Sequence, residues 1–213
     1  METSPLWTDL PEDVQSYLSL NAEALQFKRA EKVYHQGSQP RGLYFIEKGL
    51  VGLVLVEASS GKEHLTRFFK QGQFFGHRSL FANEEHHGEA VVLEATIIQF
   101  VSKEILFKIL QQKPELYLGI VKFLSKELRR CEINQIRILE NQILPRVAQT
   151  LVYLKDINPN HNWTRQEIAN FCASTVSTVI KALSEIERLG YIEQDGRSIN
   201  ILDRVALISL QDS

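Results

Sequence analysis

Short apolar runs separated by glycine fill the segment from residue 32 to residue 101. The runs are LYFI (43–46), LVGLVLVE (50–57), EHLTRFF (63–69) and ATIIQFV (95–101). Six of the glycines in the segment, at positions 37, 49, 61, 72, 76 and 88, separate these runs. Runs this short, rich in β-branched and aromatic residues, indicate strands joined by tight turns. The segment therefore predicts a small antiparallel β-roll or barrel.

From about Lys113 the pattern becomes helical, with seam positions at alternating spacings of four and three residues, as in a coiled coil. The seam positions are Tyr117, Val121, Leu124, Leu128, Cys131, Gln135 and Ile138. The outer face would carry Lys122, Lys126, Glu127, Arg129, Arg130 and Glu132. The helix could be an ordinary amphipathic helix that packs only on its own domain. A second stripe is present at Ile133, Ile136, Leu139 and Ile143. We therefore favour a helix that meets a second copy of the chain through one stripe and its own chain through the other. Pro145 then interrupts this helix or begins the next one in its first turn.

The segment TRQEIANFCASTVSTVIKALSEIERLGYIEQDGRSINIL (164–202) carries the most information. Thr164 and Glu167 form a capping box that begins a short helix. After a turn around Ala173, Thr175 is the predicted N-cap of a second helix. The Asp195–Gly196 pair is a strong signal for the tight turn of a hairpin. Two helices with a short turn, followed by a two-stranded wing, predict a winged helix-turn-helix.

The second of these helices separates an apolar stripe from a polar face. The predicted inner stripe is Val179, Leu183, Ile186 and Leu189. The outer, N-terminal face holds Thr175, Ser177, Thr178 and Lys181. In a winged helix-turn-helix this face meets base edges in the major groove of DNA. The alternative is a helix pair that only packs, on which exposed polar residues would be unremarkable.

Composition and motif content limit the classes of protein to which the chain can belong. The net charge is −2, and residues 145–213 hold 7 basic and 8 acidic side chains, so nucleic-acid binding would need a local basic face. The two cysteines, Cys131 and Cys172, lack metal-type spacing, which favours a reducing cytoplasm. No signal-peptide pattern and no apolar run of about 20 residues is present. No catalytic motif is present either, so we predict no enzyme and no catalytic residues.

A family resemblance follows from these motifs. The pattern TRQEIANF…ST…STV…KAL…IERLGYI…DGRSINILD closely resembles the DNA-binding domain of the Crp–Fnr family of bacterial regulators. Upstream, YHQGSQPRGLYFIEKGLVGL and GQFFGHRSLF look like the β-roll of that family, and residues 113–143 look like its dimer helix. The resemblance spans nearly the whole chain in the right order.

The resemblance implies an α+β fold with three parts. Residues 1–112 would be an antiparallel β-roll that resembles a cyclic-nucleotide-binding effector domain. Residues 113–144 would be a long dimerisation helix with a hinge near Asn141–Pro145, and residues 145–213 a winged helix-turn-helix. The implied partners are double-stranded DNA, a second copy of the chain, RNA polymerase and a small-molecule effector, without a membrane.

The predicted DNA contacts depart from the family pattern. The family usually has an acidic residue where Ser177 stands, an arginine at Lys181, a small residue at Ile180 and glycine at Ala173. Lysine acts as a point charge without the bidentate fork of arginine, so we expect a different target sequence. The first helix offers Arg165 and Gln166 at positions that match phosphate contacts, although solvated surface residues would look the same.

The segment FGHRSLFANEEHHGEAVV overlays the family's phosphate-binding cassette without gaps. His77 stands where a glutamate holds the ribose hydroxyl, His87 where an arginine pairs with the phosphate, and Gly88 where serine or threonine is usual. The supporting residues of the cassette still match the family pattern. The candidate effector pocket comprises Gly76, His77, Arg78, Ser79, Leu80, His87 and Gly88.

These replacements make cyclic AMP an unexpected ligand. Each lost charge-assisted hydrogen bond costs on the order of 1.5–3 kcal/mol, and a histidine near neutral pH is mostly uncharged. Arg78 could turn inward as a substitute. Two alternatives stay open: a haem or small-molecule sensor that uses the histidine-rich roll, and a regulator that still binds a cyclic nucleotide. We predict no metal or cofactor, because His86 and His87, on a solvated loop, would point to opposite faces of a strand.

Overall fold

The computed structural model describes residues 10–140 and 142–210, without the side chains of residues 134 and 136–140. The chain divides into two compact units, Met1–Arg129 and Arg130–Ser213. One continuous helix crosses this boundary in sequence, and the three-part division of the sequence analysis therefore stays a prediction. Among the described residues, no helix is both long and apolar enough to pass through a lipid bilayer.

The first unit is built on eight described strands in two four-stranded antiparallel sheets. The strands are β1 (Glu23–Phe27), β2 (Lys32–Tyr34), β3 (Gly42–Lys48), β4 (Leu50–Val56), β5 (Glu63–Lys70), β6 (Phe74–Phe75), β7 (Glu89–Val92) and β8 (Thr96–Ser102). One sheet has the order β1-β8-β3-β6 and the other β2-β7-β4-β5. The glycine-punctuated pattern thus predicted the antiparallel roll correctly.

Alternating side chains of the first sheet enter two different cores. In β3, Tyr44 and Ile46 point into a core shared with the second sheet, while Leu43 and Phe45 face the helices, as the two-residue period of a strand requires. The helices on that outer side are α1 (Glu12–Leu20), α2 (His77–Ala82) and α3 (Lys103–Gln112). Buried apolar surface therefore fixes both faces of this sheet.

The long helix α4 spans Leu116–Glu140. Its inward stripe runs through Leu116, Ile120, Phe123 and Glu127, of which Phe123 and Glu127 are buried. The predicted position of Glu127 on the outer face is wrong, because its carboxylate contacts basic side chains of β5 and α2. Seam positions are accessible in the single chain, with Val121 56 % and Leu128 63 % exposed. The seam position Ile138 lies outside the described side chains, and Asn141 outside the described residues.

The second unit contains four helices and a hairpin among its described residues beyond α4. They are α5 (Ile143–Ile157), α6 (Arg165–Phe171), α7 (Val176–Arg188), β9 (Ile192–Asp195), β10 (Ser198–Ile201) and α8 (Arg204–Ser209). Pro145 lies in the first turn of α5, where its missing N–H has no partner to lose. In the predicted inner stripe of α7, Val179, Leu183 and Ile186 are fully buried, whereas Leu189 is exposed.

Local signals at the helix termini are realised as predicted. Thr164 and Glu167 form both hydrogen bonds of the capping box, and the hydroxyl of Thr175 accepts from the Thr178 N–H. Ala173 has a φ of 51°, the left-handed conformation expected of the turn. The two-residue loop of the hairpin is residues 196–197, one residue later than the Asp195–Gly196 pair suggested.

Candidate functional sites

The first turns of α7 present small hydroxyl side chains. Thr175 Oγ1 lies 3.0 Å from Ser177 Oγ and 2.8 Å from Thr178 Oγ1, and it also accepts the Thr178 N–H at 3.2 Å. Thr175 therefore has a structural role as N-cap in addition to any external contact. Ser177 is exposed and Thr178 half-buried.

One side of α7 combines polar, apolar and basic groups. Ser177, Ile180 and Lys181, at spacings of three and four residues, are exposed and lie along the same side of the helix. Ile180 is 48 % exposed, so an apolar side chain lies among the polar groups on this side of the helix. Ile180 was not among the predicted contact residues, although its departure from the family pattern was the signal that could have included it.

The hairpin is held to both helices through Arg165 and Gln194. Arg165 donates from one terminal nitrogen to the Arg197 carbonyl at 2.9 Å and from the other to Gln194 Oε1 at 2.7 Å. Gln194 in turn donates to both carboxylate oxygens of Glu187 in α7. A guanidinium has five N–H donors, so Arg165 keeps others for a phosphate. Gln166 is exposed and donates to Asn170 Oδ1 at 2.6 Å.

The candidate pocket begins at a glycine that no other residue could easily replace. Gly76 has a φ of +88°, and an added Cβ would lie 3.0 Å from the Tyr44 ring and 3.1 Å from the Gly42 carbonyl oxygen. This left-handed residue turns the chain from β6 into α2. It places His77, the first residue of α2, against the rings of Phe74 and Phe123, where its side chain is buried.

His77 and Arg78 both contact the carboxylate of Glu127. His77 Nε2 lies 3.1 Å and Arg78 Nε 3.3 Å from Oε2, while Arg67 of β5 pairs with Oε1. Arg78 thus turns toward the interior, which was one of the two orientations that the sequence allowed. Glu127 is 4 % exposed, so these partners replace the water that an ionised carboxylate requires.

The surroundings keep His77 neutral. Burial lowers the pKa of His77 well below its usual value, and the nearby guanidinium groups of Arg67 and Arg78 lower it further. A neutral imidazole that donates from Nε2 to a carboxylate carries no proton on Nδ1. Within the described residues, Nδ1 is buried and has no hydrogen-bond partner.

His86 and His87 point to opposite sides of the chain. His86 is buried and stacks on Tyr34, with ring centroids 3.6 Å apart and an interplanar angle of 6°. Burial, and to a smaller extent His87, lower the pKa of His86 to about 4. The expectation of a solvated loop was therefore wrong for His86, because an aromatic ring far along the chain covers it. His87 is exposed, and desolvation and Arg78 lower its pKa.

The remaining pocket residues have structural contacts. Ser79 Oγ donates to the Glu85 carbonyl at 3.2 Å, and Leu80 packs in the helix-side core. A Cβ added to Gly88 would lie 2.7 Å from the Val54 carbonyl oxygen, closer than real Cβ contacts permit. In the described part of the chain, no three His, Cys, Asp or Glu side chains are grouped to hold a metal ion.

Sequence reasoning missed Arg67 and Glu127, which complete this cluster. Arg67 stands two residues before Phe69 and pairs with Leu53, and both of these residues lie in the core of the roll, so Arg67 occupies an inward-facing position of β5. Glu127 lies four residues after Phe123, on the inward stripe of α4. Each charged residue therefore interrupted an apolar pattern that was visible in the sequence. Their pairing was not visible, because 60 residues separate them.

Comparison with known proteins identifies the family of the chain. A cyclic nucleotide-binding domain model matches residues 24–113, and a Crp-like helix-turn-helix domain model matches residues 145–210. The order of these two domains agrees with the roll and the winged helix described above. The class is a transcription regulator with a nucleotide-binding-type roll. The chain belongs to the Crp–Fnr family, whose members are transcription regulators and not enzymes.

The relatives are distant but extend over most of the chain. The CRP-like cAMP-activated global transcriptional regulator of Mycobacterium tuberculosis is 25 % identical over 195 residues, with 87 % of each protein covered. The cyclic AMP receptor protein of Thermus thermophilus is 26 % identical over 214 residues, covering 97 % of this chain and 98 % of that protein. The structure of the c-di-GMP responsive regulator CLP of Xanthomonas campestris has a TM-score of 0.77 at 19 % identity, covering 88 % and 97 % of the respective chains.

Proposed function

We propose that this chain acts as a homodimer that binds a palindromic DNA site and regulates transcription without responding to cyclic AMP. The observation that carries the proposal is the exposed N-terminal face of α7 in a helix-turn-helix of the Crp type. The proposed site of action is the cytoplasm, where DNA and RNA polymerase, the further expected partner, are found.

The proposed DNA contacts divide by chemistry. Ser177, Thr178 and Lys181 would read base edges in the major groove, since they lie in the first turns of the second helix. Thr175, Arg165 and Gln166 would position the domain on phosphates, which carry no sequence information. A serine in place of an acidic side chain and a lysine in place of arginine predict a half-site different from those of relatives with the common pattern.

Dimerisation is proposed from the seam of α4. Tyr117, Val121 and Leu128 form an exposed apolar stripe at heptad spacing, flanked by charged side chains such as Lys122 and Arg129. A helix with an apolar stripe at this spacing is suited to pair with an identical helix. A two-fold axis along the paired helices would present two α7 helices to half-sites about one helical turn apart, 10–10.5 base pairs.

Two relatives are named for cyclic AMP, and this chain differs at the residues that would hold it. His77 contacts Glu127 instead of facing an empty pocket. Gly88 leaves no space for the usual hydroxyl side chain, because of the Val54 carbonyl. His87, at the position of the phosphate-binding arginine, has a lowered pKa. We therefore propose that the effector differs from cyclic AMP or that the dimer needs none.

The decisive experiment selects bound sequences from random duplex DNA, with and without added cyclic AMP. The proposal predicts one enriched two-fold symmetric motif that is the same in both conditions. No enrichment, or an asymmetric single half-site, would contradict it. Calorimetric titration of the protein with cyclic AMP should show no micromolar binding, and an absorbance spectrum without a haem band would exclude the haem alternative.

A further inference from the structure

The carboxylate of Glu127 lies in a set of positive and hydrogen-bond-donating side chains that the structure draws from two distant segments. We call Arg67, His77 and Arg78 the cradle. Arg67 comes from β5, and His77 and Arg78 begin α2, whereas Glu127 belongs to α4. All three cradle residues contact the carboxylate. The contact joins the roll to the long helix within the first unit.

Two of the three cradle side chains, Arg67 and His77, pack on aromatic rings in addition to their contact with Glu127. The Arg67 guanidinium lies over the Phe69 ring at 4.9 Å and near the Phe123 ring at 5.9 Å. The His77 ring meets Phe74 and Phe123 edge to face, with centroids 5.1 and 5.0 Å apart. Such packing holds donors in a fixed geometry and reduces the entropy lost on binding. The cradle is therefore organised to receive an anion.

The charges of the cradle and of Glu127 partly compensate each other. His77 is neutral, so the cradle contributes the charges of two guanidinium groups, and Glu127 supplies one negative charge. A carboxylate that is almost fully buried needs such partners, because an isolated buried charge is strongly disfavoured. The cluster keeps a net charge of +1, but the Glu127 carboxylate already holds the position between the cradle side chains that another compact anion would take.

We propose that Arg67, His77 and Arg78 form an anion-binding site whose occupant is the carboxylate of this chain's own Glu127. The long helix thereby supplies the ligand of the roll, and the site accepts a compact anion from solution only when Glu127 is removed. The regulatory meaning of this arrangement rests on the proposed function, since it explains why the regulator would not need an anionic effector.

The test measures the binding of inorganic phosphate by calorimetry at constant ionic strength. The proteins are the wild type, Glu127→Ala, the isosteric Glu127→Gln and the control Glu132→Ala, which removes an exposed carboxylate from the same helix. Wild type and control should show no binding below millimolar concentrations. Both Glu127 variants should bind phosphate at least tenfold more tightly, and Arg67→Met added to Glu127→Ala should abolish the gain.

Two results would overturn the proposal. One is a folded Glu127→Gln or Glu127→Ala protein, checked by circular dichroism, without any gain in phosphate binding. The other result needs no Glu127 variant. If the wild-type protein bound phosphate with micromolar affinity and Arg67→Met abolished this binding, the cradle would accept phosphate while Glu127 is present. DNA selection on the same wild-type preparation tests the proposed function separately, because its failure would leave the phosphate result unchanged.

Discussion

At the level of single residues, the exposed side of α7 pairs a point charge with an apolar side chain. Lys181 can donate to a guanine or a phosphate, but it lacks the bidentate fork that makes arginine selective for guanine. Ile180, exposed beside it, offers methyl groups that suit the C5-methyl of thymine. The two neighbours would therefore read different features of adjacent base pairs.

Replacing Lys181 with alanine should weaken binding to the selected site by about 1–3 kcal/mol if the ammonium contacts a base. The loss should be larger for the selected duplex than for a scrambled one, measured by fluorescence anisotropy across salt concentrations. Arg188→Ala is the control, since it removes a positive charge from the other end of the same helix. Equal losses on both duplexes would instead indicate a phosphate contact.

His86 should make the stability of the roll depend on pH. Its pKa is lowered to about 4 by burial, so the unfolded chain, with a pKa near 6.5, binds the proton more readily. The stabilising contribution is therefore present above about pH 6.5 and is lost as the pH falls toward 4, by up to about 3 kcal/mol. His86→Phe, which keeps a ring on Tyr34, should reduce this dependence, and the lowered pKa values of His77 and His87 should sustain the rest.

Urea denaturation between pH 7 and 4.5 measures the effect. The control is His35→Gln, which alters a largely exposed histidine and should retain the wild-type dependence on pH. A His86→Phe protein whose free energy of unfolding falls as steeply as that of the wild type would show that other groups cause the acid sensitivity.

The residues that sequence reasoning placed correctly depend on local chemistry. The Thr164–Glu167 box, the Thr175 cap and the left-handed Ala173 are each decided within four residues. His86 and Glu127 were misplaced, because their surroundings come from residues 34, 67 and 77–78. Pairings over 50 residues or more leave no periodic signal in one sequence.

At the level of elements, α4 has two apolar faces with different partners. Its inward stripe packs on the roll through Ile120 and Phe123, and its seam stays exposed in the single chain. The heptad spacing predicted apolar positions that are exposed in the single chain, such as Val121 and Leu128, and their pairing with a second copy stays a prediction. The spacing could not show that the inward stripe ends in a buried acid. An amphipathic pattern identifies faces, whereas the identity of the partner on each face depends on tertiary structure.

A charge in the seam should prevent dimer formation. Val121→Asp would bury a carboxylate against its own copy near the two-fold axis, and unpaired buried charges are strongly disfavoured. We expect sedimentation equilibrium to give a monomer mass, with circular dichroism unchanged because Val121 is exposed in the single chain. Lys122→Glu reverses an exposed charge one position further along and should remain dimeric, and a dimeric Val121→Asp protein would reject the seam as interface.

At the level of the whole molecule, the chain combines a domain of the cyclic nucleotide-binding type with a Crp-like helix-turn-helix, and within its roll unit the Glu127 carboxylate contacts the cradle. Relatives named for cyclic AMP and for c-di-GMP show that the same architecture serves different ligands. The fold followed from the sequence because glycine punctuation, heptad spacing and helix caps agree with one another. The identity of an effector did not follow, since the three changed anchors lead only to the prediction that cyclic AMP binds poorly and name no other ligand.

A rigid two-fold dimer predicts a strict dependence on the spacing of half-sites. Five base pairs inserted at the centre of the selected palindrome would rotate one half-site by about half a helical turn, so that both α7 helices could no longer enter their grooves. Affinity should fall toward the non-specific level, on the order of a thousandfold, at the same salt concentration. Substituting five central base pairs without changing the length is the control and should cost far less. Binding that tolerates the insertion would mean that each winged helix acts independently, and the paired helix seam would then have no part in DNA recognition.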